Sequence, residues 1–356
     1  MPAWLRHGGR GGGNMRKMNV VLVGCGGISN SWLGAVKHRE DIKIVGLVDL
    51  NRESADKRAV EHGLVGMETG TDINAMLKKI RPDAVFDCTV PEAHVTVTTT
   101  ALRHGCHVLG EKPLADTMPN ARKMASAAKQ AGKIYAVMQN RRYMENIQAL
   151  RRFLDSGAIG RVTTVHCDFF IGAHFGGFRD HMQHVLLLDM AIHTFDQARF
   201  LTRADALTAL ASEWNPPGSW YDHDASAVAI FEMTNKIVYC YRGSWCAEGL
   251  NTSWEAAWRI IGAKGSVTWD GAHVFQAQVV TGQTRLTRQS QDMQVPYDHD
   301  RTTGIPAGHA GCIDEFIRGV RTGVVPQTVC TDNIKSLAMV HAAVASAAAG
   351  KKVICA

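Results

Sequence analysis

The chain has 356 residues, 46% of them hydrophobic and 20% charged, with a formal net charge of +6. That length exceeds one ordinary core and predicts about two domains, and the composition excludes a disordered or collagen-like chain. Four of the cations, Arg6, Arg10, Arg16 and Lys17, lie in a head without acidic residues, so the rest of the chain carries only +2. No basic stripe interleaved with aromatic residues points to a nucleic-acid partner.

Residues 1–17 contain the run Gly8-Gly9-Arg10-Gly11-Gly12-Gly13 and no apolar stretch. They read as a disordered head rather than a secretory signal, with Met15 or Met18 as alternative starts. No segment approaches the ~20 apolar residues that cross a bilayer, so no membrane partner is expected. The nine cysteines are scattered, without a Cys-x-x-Cys pair, which reads as reduced thiols in a cytoplasmic protein. Cys25, Cys88 and Cys106 fall in or beside apolar strand patterns and read as core.

From residue 18 to 140 strands and helices alternate. Strands are predicted over 20–23, 43–49, 84–89, 106–109 and 134–138, with helices over 52–62, 72–80, 92–104 and 120–131 and another after Gly26. Short apolar strands separated by helices predict a doubly wound parallel sheet, a Rossmann domain. From 141 to 356 the pattern changes. A helix is predicted over 145–155, a strand over 161–171 and one long helix over 183–201. Strands then follow one another to about residue 281, among them 225–231, 237–241, 256–261 and 266–269. This predicts an α+β domain with a mainly antiparallel sheet. Residues 282–306 read as loop, followed by helices over 310–321 and 332–349. Tyr-Asp-His-Asp occurs at 221–224 and again at 297–300; paired loop structure or coincidence explains it better than a duplicated site.

The first strand runs into Gly24-Cys25-Gly26-Gly27-Ile28. Glycines between a strand and a helix let backbone amides approach a pyrophosphate at the helix N-terminus. Ser29 stands where the fingerprint has its third glycine, and Gly27 adds freedom one residue after Gly26. Asp49 ends the second strand 25 residues after Gly24, slightly beyond the usual ~20. Its carboxylate suits ribose hydroxyls and repels a 2′-phosphate, favouring NAD, whereas Arg52 three residues on can bind that phosphate and keeps NADP possible. The alternative is a tight turn with a surface aspartate.

Lys112 stands in Gly110-Glu111-Lys112-Pro113, at the end of another strand, where Pro113 restricts the backbone. Asp189 and His193 stand four apart in an apolar stretch, on one face of the predicted helix. Burying both without purpose is costly; the bland alternative is a core histidine satisfied by its own helix. The loop His174–His184, with Arg179, His181 and His184, and Arg141, Arg142 and Tyr143 after the last Rossmann strand, offer polar groups for a polyhydroxylated ligand or for contacts between domains or subunits. His174, His181 and His184 lack a full ligand set, so no metal is expected. Trp214, Trp220, Tyr221, Trp245 and Trp254 suit sugar stacking, or core and interface.

These motifs together resemble the Gfo/Idh/MocA oxidoreductase family, which includes inositol dehydrogenases and glucose–fructose oxidoreductase. The likeness rests on Gly24-Cys25-Gly26-Gly27-Ile28, Glu111-Lys112-Pro113 and Asp189-x3-His193, in that order, and covers nearly the whole chain from residue 18. Thr89-Val90-Pro91-Glu92-Ala93-His94 resembles the family's Thr-x-Pro-x-x-His stretch, with Glu92 where asparagine is common. The closing segment from His309 to Val353 fits as well. The resemblance implies an active site between the domains, with Lys112, Asp189 and His193 as the catalytic set. Gly24, Gly26, Gly27, Ile28, Asp49, Arg52, Thr89, His94 and Glu111 are expected at the cofactor. Arg141, Tyr143, Arg179 and His184 are expected at the substrate.

The expected reaction interconverts a secondary alcohol and a ketone on a sugar, sugar derivative or cyclitol, with NAD or NADP. His193 is the expected general base, and Lys112 the donor to the same oxygen. Asp189 is expected to orient substrate and histidine, and Glu111 to hold Lys112 or line the nicotinamide pocket. The second domain's open sheet is expected to pair copies into a homodimer or tetramer. Two other readings share the fold: a glycosidase working by transient oxidation of its substrate, and a non-catalytic NAD-binding sensor.

Overall fold

The computed structural model describes residues 16–64, 66–282, 286–297 and 306–356. The predicted disordered head, but for its last two residues, and the second Tyr-Asp-His-Asp beyond Tyr297 lie outside the described residues.

The first sheet is built from β1 (Met18–Val23), β2 (Ile42–Val48), β3 (Glu68–Gly70), β4 (Ala84–Asp87), β5 (His107–Gly110) and β6 (Tyr135–Val137). All six strands are parallel, in the order β3-β2-β1-β4-β5-β6. The three-residue β3 was not predicted; a segment so short carries no periodicity to read. Helices α1 (Ser29–Val36), α2 (Arg52–Glu61), α3 (Ile73–Ile80), α4 (Pro91–Arg103) and α5 (Met118–Ala131) make the crossovers. Apolar residues lie on both faces of the sheet: Val20, Leu22 and Phe86 in one core, Val21, Val85 and Val108 in the other.

Register brings the predicted motifs to one edge. Val23 pairs with Val48 and with Asp87, and Asp87 pairs with Gly110. The residues that follow, Gly24, Asp49, Cys88–Thr89 and Glu111–Lys112, therefore emerge side by side at the carboxyl ends of the strands. The strand order reverses at β1 and β4, the place where open α/β sheets leave a crevice for a ligand.

Beyond α6 (Glu145–Asp155) and β7 (Val162–Phe170) the predicted long helix is broken into two windings. Leu186–Ala191 is π-helical, and only Ile192–Thr202 (α7) is α-helical. No glycine or proline marks the change, so the sequence pattern shows one helix. The second sheet adds β8 (Ala206–Trp214), β9 (Ser226–Met233), β10 (Ile237–Ser244), β11 (Ala257–Gly262), β12 (Gly265–Trp269), β13 (Phe275–Val280) and β14 (Ser290–Met293). After α8 (Gly308–Thr322) and α9 (Cys330–Ala349), β15 (Val353–Ile354) completes it. Its order is β14-β13-β12-β11-β7-β10-β9-β8-β15, antiparallel except where β7 meets β10. β14 lies within the stretch predicted to be loop, its polar Ser-Gln-Asp-Met sequence giving no strand signal.

The chain does not leave the first sheet for good. Phe316 on α8 meets Phe86 edge-on with ring centroids 6.3 Å apart, and Cys312, Ile313 and Ile317 join the same core as Trp32. Helix α9 buries Leu337 with the first sheet, and Met339 and Ala343 with the second. A buried ionic cluster ties these parts together. Arg142 donates from Nε and Nη2 to both oxygens of Asp196 on α7, each at 2.6 Å, and reaches Asp332 on α9 at 3.0 Å. Arg199 holds the other oxygen of Asp332 at 2.7 Å.

Candidate active site

The glycine loop is shaped by its neighbours. Gly24 has φ +91°, and a Cβ there would lie 2.7 Å from the Cys88 carbonyl carbon and oxygen and 2.8 Å from the Thr89 nitrogen. Only glycine fits. At Gly26 and Gly27 an added Cβ would meet nothing within 4 Å, so the loop faces open space, and half-exposed Ile28 flanks it at the start of α1. This is the cradle a pyrophosphate needs: amides and a helix N-terminus with no side chain in the way. Asp49 closes it from β2, accepting the Cys25 amide at 2.7 Å on Oδ2 and the Asn51 amide at 2.9 Å on Oδ1.

Arg52 does not enter the cradle. It is two-thirds exposed and pairs with Asp56 at 3.7 Å. The arginine at the loop is Arg58, which donates to the carbonyls of Cys25 at 3.2 Å and Gly26 at 3.0 Å. Its signal was present: Ala55 and Ala59 are the buried face of α2, and Arg58 borders it.

Thr89 turns its hydroxyl onto the fully buried Asp87 at 2.6 Å, and Thr98 donates to the other oxygen at 3.2 Å. His94 is fully buried. Its ring spans the carbonyls of Thr89, 3.0 Å from Nε2, and Pro113, 3.1 Å from Nδ1. It braces the two loops and presents no surface to a ligand. Glu111 does not touch the Lys112 ammonium. One carboxylate oxygen accepts the Trp32 indole N–H at 2.6 Å, and the other accepts the Lys112 backbone amide at 3.0 Å.

Lys112 reaches across to the π-helical turn. Its Nζ donates to Oδ1 of Asp189 at 2.8 Å and to the Asp189 backbone carbonyl at 2.9 Å. A π turn bonds i to i+5 rather than i+4, and such turns recur at functional sites. An ammonium has three donors; two are engaged, leaving one. The second Asp189 oxygen accepts Nε of Arg179 at 2.7 Å. Asp189 thus joins two cations, and Lys112 and Arg179 hold its carboxyl below the usual range against the opposing effect of burial.

No hydrogen bond links Asp189 to His193, against the expectation that the aspartate orients the imidazole. His193 is buried, and its Nδ1 has no partner among the described residues. Burial, and then the nearby Arg141, Lys112 and His309, push its pKa well below 6.5. Both effects favour the uncharged ring.

Arg141 lies alongside. It donates to the Trp254 carbonyl, contacts the Met190 sulfur at 3.5 Å and pairs with Glu255 at 3.5 Å. Gln197, one helical turn after His193, donates to the other Glu255 oxygen at 2.8 Å. Glu255 and Gln197 escaped the sequence reading, although Asp189-x3-His193-x3-Gln197 is a visible repeat. Tyr143 is elsewhere: its hydroxyl bonds Glu315 on α8, and its ring packs with the first sheet's core. It ties α8 down and does not line the cleft. His184, at φ +52°, is held by the buried Glu213, whose oxygen lies 2.8 Å from Nδ1. That hydrogen bond raises the histidine's pKa.

Of the five aromatics singled out, Trp245 and Tyr221 are buried. Trp254 stays half-exposed, its ring 6.1 Å from that of Phe175. Among the described residues, no group of three or more His, Cys, Asp or Glu side chains gathers as metal ligands, and no helix is long and apolar enough to cross a membrane.

Residues 18–139 match a family model described as an oxidoreductase family with an NAD-binding Rossmann fold. Residues 147–268 match the GFO/IDH/MocA C-terminal domain. The chain is 27% identical over 349 residues to D-apiose dehydrogenase of Paraburkholderia graminis, covering 95% of this chain and 90% of that one. It is 25% identical over 346 residues to inositol 2-dehydrogenase of Rhizobium meliloti, covering 93% and 97%. Its fold superimposes on an oxidoreductase from Agrobacterium radiobacter, solved with NAD+, L-tartaric acid and magnesium, with a TM-score of 0.81 at 21% identity over 95% of this chain and 98% of the other. The open glycine cradle beside Asp49 agrees with these matches: the chain belongs to the GFO/IDH/MocA family of oxidoreductases and carries an NAD-binding Rossmann domain.

Proposed function

We propose that the protein interconverts a secondary alcohol and a ketone on a sugar, sugar derivative or cyclitol, with Lys112 and His193 as the acid–base pair. The observation that carries this reading is the Lys112 ammonium fixed on Asp189 at 2.8 Å, with one donor left over, near a buried imidazole whose Nδ1 has no partner among the described residues. The likeness to D-apiose and inositol dehydrogenases supplies the substrate class.

Gly24, Gly26, Gly27 and Ile28 hold the pyrophosphate, and Asp49 meets the adenosine ribose. With Arg52 turned to Asp56, the loop edge favours NAD over NADP. When bound, NAD supplies the hydride acceptor. Lys112 donates its remaining N–H to the substrate oxygen and stabilises the negative charge that develops there. His193 takes the hydroxyl proton, its depressed pKa keeping it unprotonated at neutral pH. Asp189 anchors the lysine and ties it to Arg179. Arg141, Arg179 and the half-exposed aromatic Trp254 grip the substrate, with His184 following Arg179 on its loop. In reduction the proton returns by the same two residues.

The test is a screen of NAD and NADP reduction with inositols, aldoses, anhydrosugars and glycosides. Net NADH formation on a polyol supports the reading, while glycoside cleavage without net NADH, or no turnover on any compound, counts against it. The outer face of the second sheet leaves Leu210, Trp214, Val228 and Ile230 at least one-third exposed on β8 and β9. We assign that face to pairing between copies, and sedimentation reads it directly.

A further inference from the structure

The residues around Arg179 point to a charged substrate. Arg179 lies on a short 3₁₀ turn, Gly177–His181, entered through Gly176 and Gly177 at φ +68° and +71°. Its Nε is fixed by Asp189 at 2.7 Å. Its guanidinium carbon stands 4.7 Å from the Phe178 ring and 5.1 Å from the Phe175 ring. Both rings are more than half exposed. Among the described residues neither Nη of Arg179 has a hydrogen-bond partner. The fork is therefore clamped at its base and by its faces, while its free end stays open.

Charge points the same way. Asp189 is one carboxylate shared by two cations, so the Lys112–Asp189–Arg179 group carries a net +1. The neighbouring Glu255 is paired with Arg141 and Gln197, and Glu111 is engaged by Trp32 and the Lys112 amide. Neither of these two is left to balance the group; Asp180, next to Arg179 on the turn, has a buried carboxylate oxygen without a hydrogen-bond partner among the described residues, so no hydrogen bond from that oxygen ties it to Arg179. A neutral polyol needs hydrogen bonds but not a spare charge. A planar, preorganised guanidinium with two parallel N–H groups matches a carboxylate.

We propose that the substrate carries a carboxylate, as a uronic or aldonic acid does, and that Arg179 reads it bidentately while Lys112 meets the reacting hydroxyl. This rests on the polyol-oxidoreductase reading for its reaction but not for its binding step.

Calorimetry on the NAD-loaded protein decides it. D-Galacturonate and D-glucuronate are titrated beside D-galactose and D-glucose, with D-galactose 6-phosphate as the competing anion. At least one acid is expected to bind at least ~10-fold more tightly than its neutral parent, the size of a charged hydrogen-bonded contact. Arg179→Gln removes that ratio and Arg179→Lys keeps part of it, both checked for NAD binding. Equal binding of acid and parent overturns the proposal, as does an unchanged ratio in Arg179→Gln or tighter binding of the phosphate. Oxidation of neutral polyols without acid preference would overturn this inference alone. If nothing is oxidised, the function reading falls while the binding ratios still judge the carboxylate.

Discussion

Replacing Lys112 by alanine isolates the single donor that the structure leaves for the substrate. Two of the three ammonium protons are engaged by the side chain and carbonyl of Asp189, at 2.8 and 2.9 Å. The third is the one available to a developing alkoxide. Removing one donor from such a site typically costs ~10²–10³ in turnover, equivalent to about 2.7–4 kcal/mol. Asp189 keeps its bond to Arg179, so the π-helical turn retains one of its two anchors. The hydrogen bonds of the glycine cradle are untouched, because those of Lys112 go to Glu111 and Asp189 and none to Gly24, Gly26 or Asp49. The expected result is turnover reduced by at least ~10²-fold with NAD affinity within a few-fold of the unaltered protein. Steady-state kinetics on the substrate found in the screen, with calorimetric NAD binding, measures both. Turnover within tenfold of the original would remove Lys112 from the chemistry. A parallel collapse of NAD binding would show that the lysine supports the loop instead.

Three further outcomes follow from the same geometry. Gly24→Ala pushes a Cβ to within 2.8 Å of three backbone atoms at φ +91° and should cost at least ~2 kcal/mol of stability, whereas Gly27→Ala, with open space around it, should leave the melting temperature near its starting value and weaken NAD binding only. Equal melting shifts in the two variants would refute the packing argument. In Asp49→Ser the preference for NAD over NADP should shrink, and unaltered selectivity would count against the ribose assignment. His193 has a folded-state pKa below its ordinary 6.5, so it favours folding in its neutral form; that stabilisation is present above the unfolded pKa and lost as pH falls through the folded one. For catalysis the acid limb of kcat/KM attributable to His193 should therefore lie below pH 6.5, and a limb above that value which vanishes in His193→Asn would contradict the placement.

Much of the site was legible because parallel-strand register turns separate motifs into neighbours. Gly24, Asp49, Thr89 and Lys112 each follow a strand of one parallel sheet, so predicting the strands predicts that they share an edge. The contacts across the cleft were not legible. Spacing alone suggested that Asp189 and His193 bond to one another, since i and i+4 meet on an α-helix. The π-helical turn and the reach of Lys112 and Arg179 instead give Asp189 two cationic partners from distant segments. His94 and Tyr143 look like ligand-binding residues by position, yet both are consumed in tertiary contacts, His94 between two loop carbonyls and Tyr143 on Glu315.

The sequence by itself determined the Rossmann half, its glycine turn and acidic strand end, and the set of residue types suited to hydride-transfer chemistry. These are local properties, set by side-chain periodicity and by the backbone freedom of glycine. Only the tertiary structure decided which arginine serves the loop, which carboxylate holds the lysine, and that α8 returns to pack on the first sheet. Those outcomes depend on which side chains lose water together. A buried charge finds its partner through the fold, as Arg142 finds Asp196 and Asp332, and no spacing along the chain encodes that meeting.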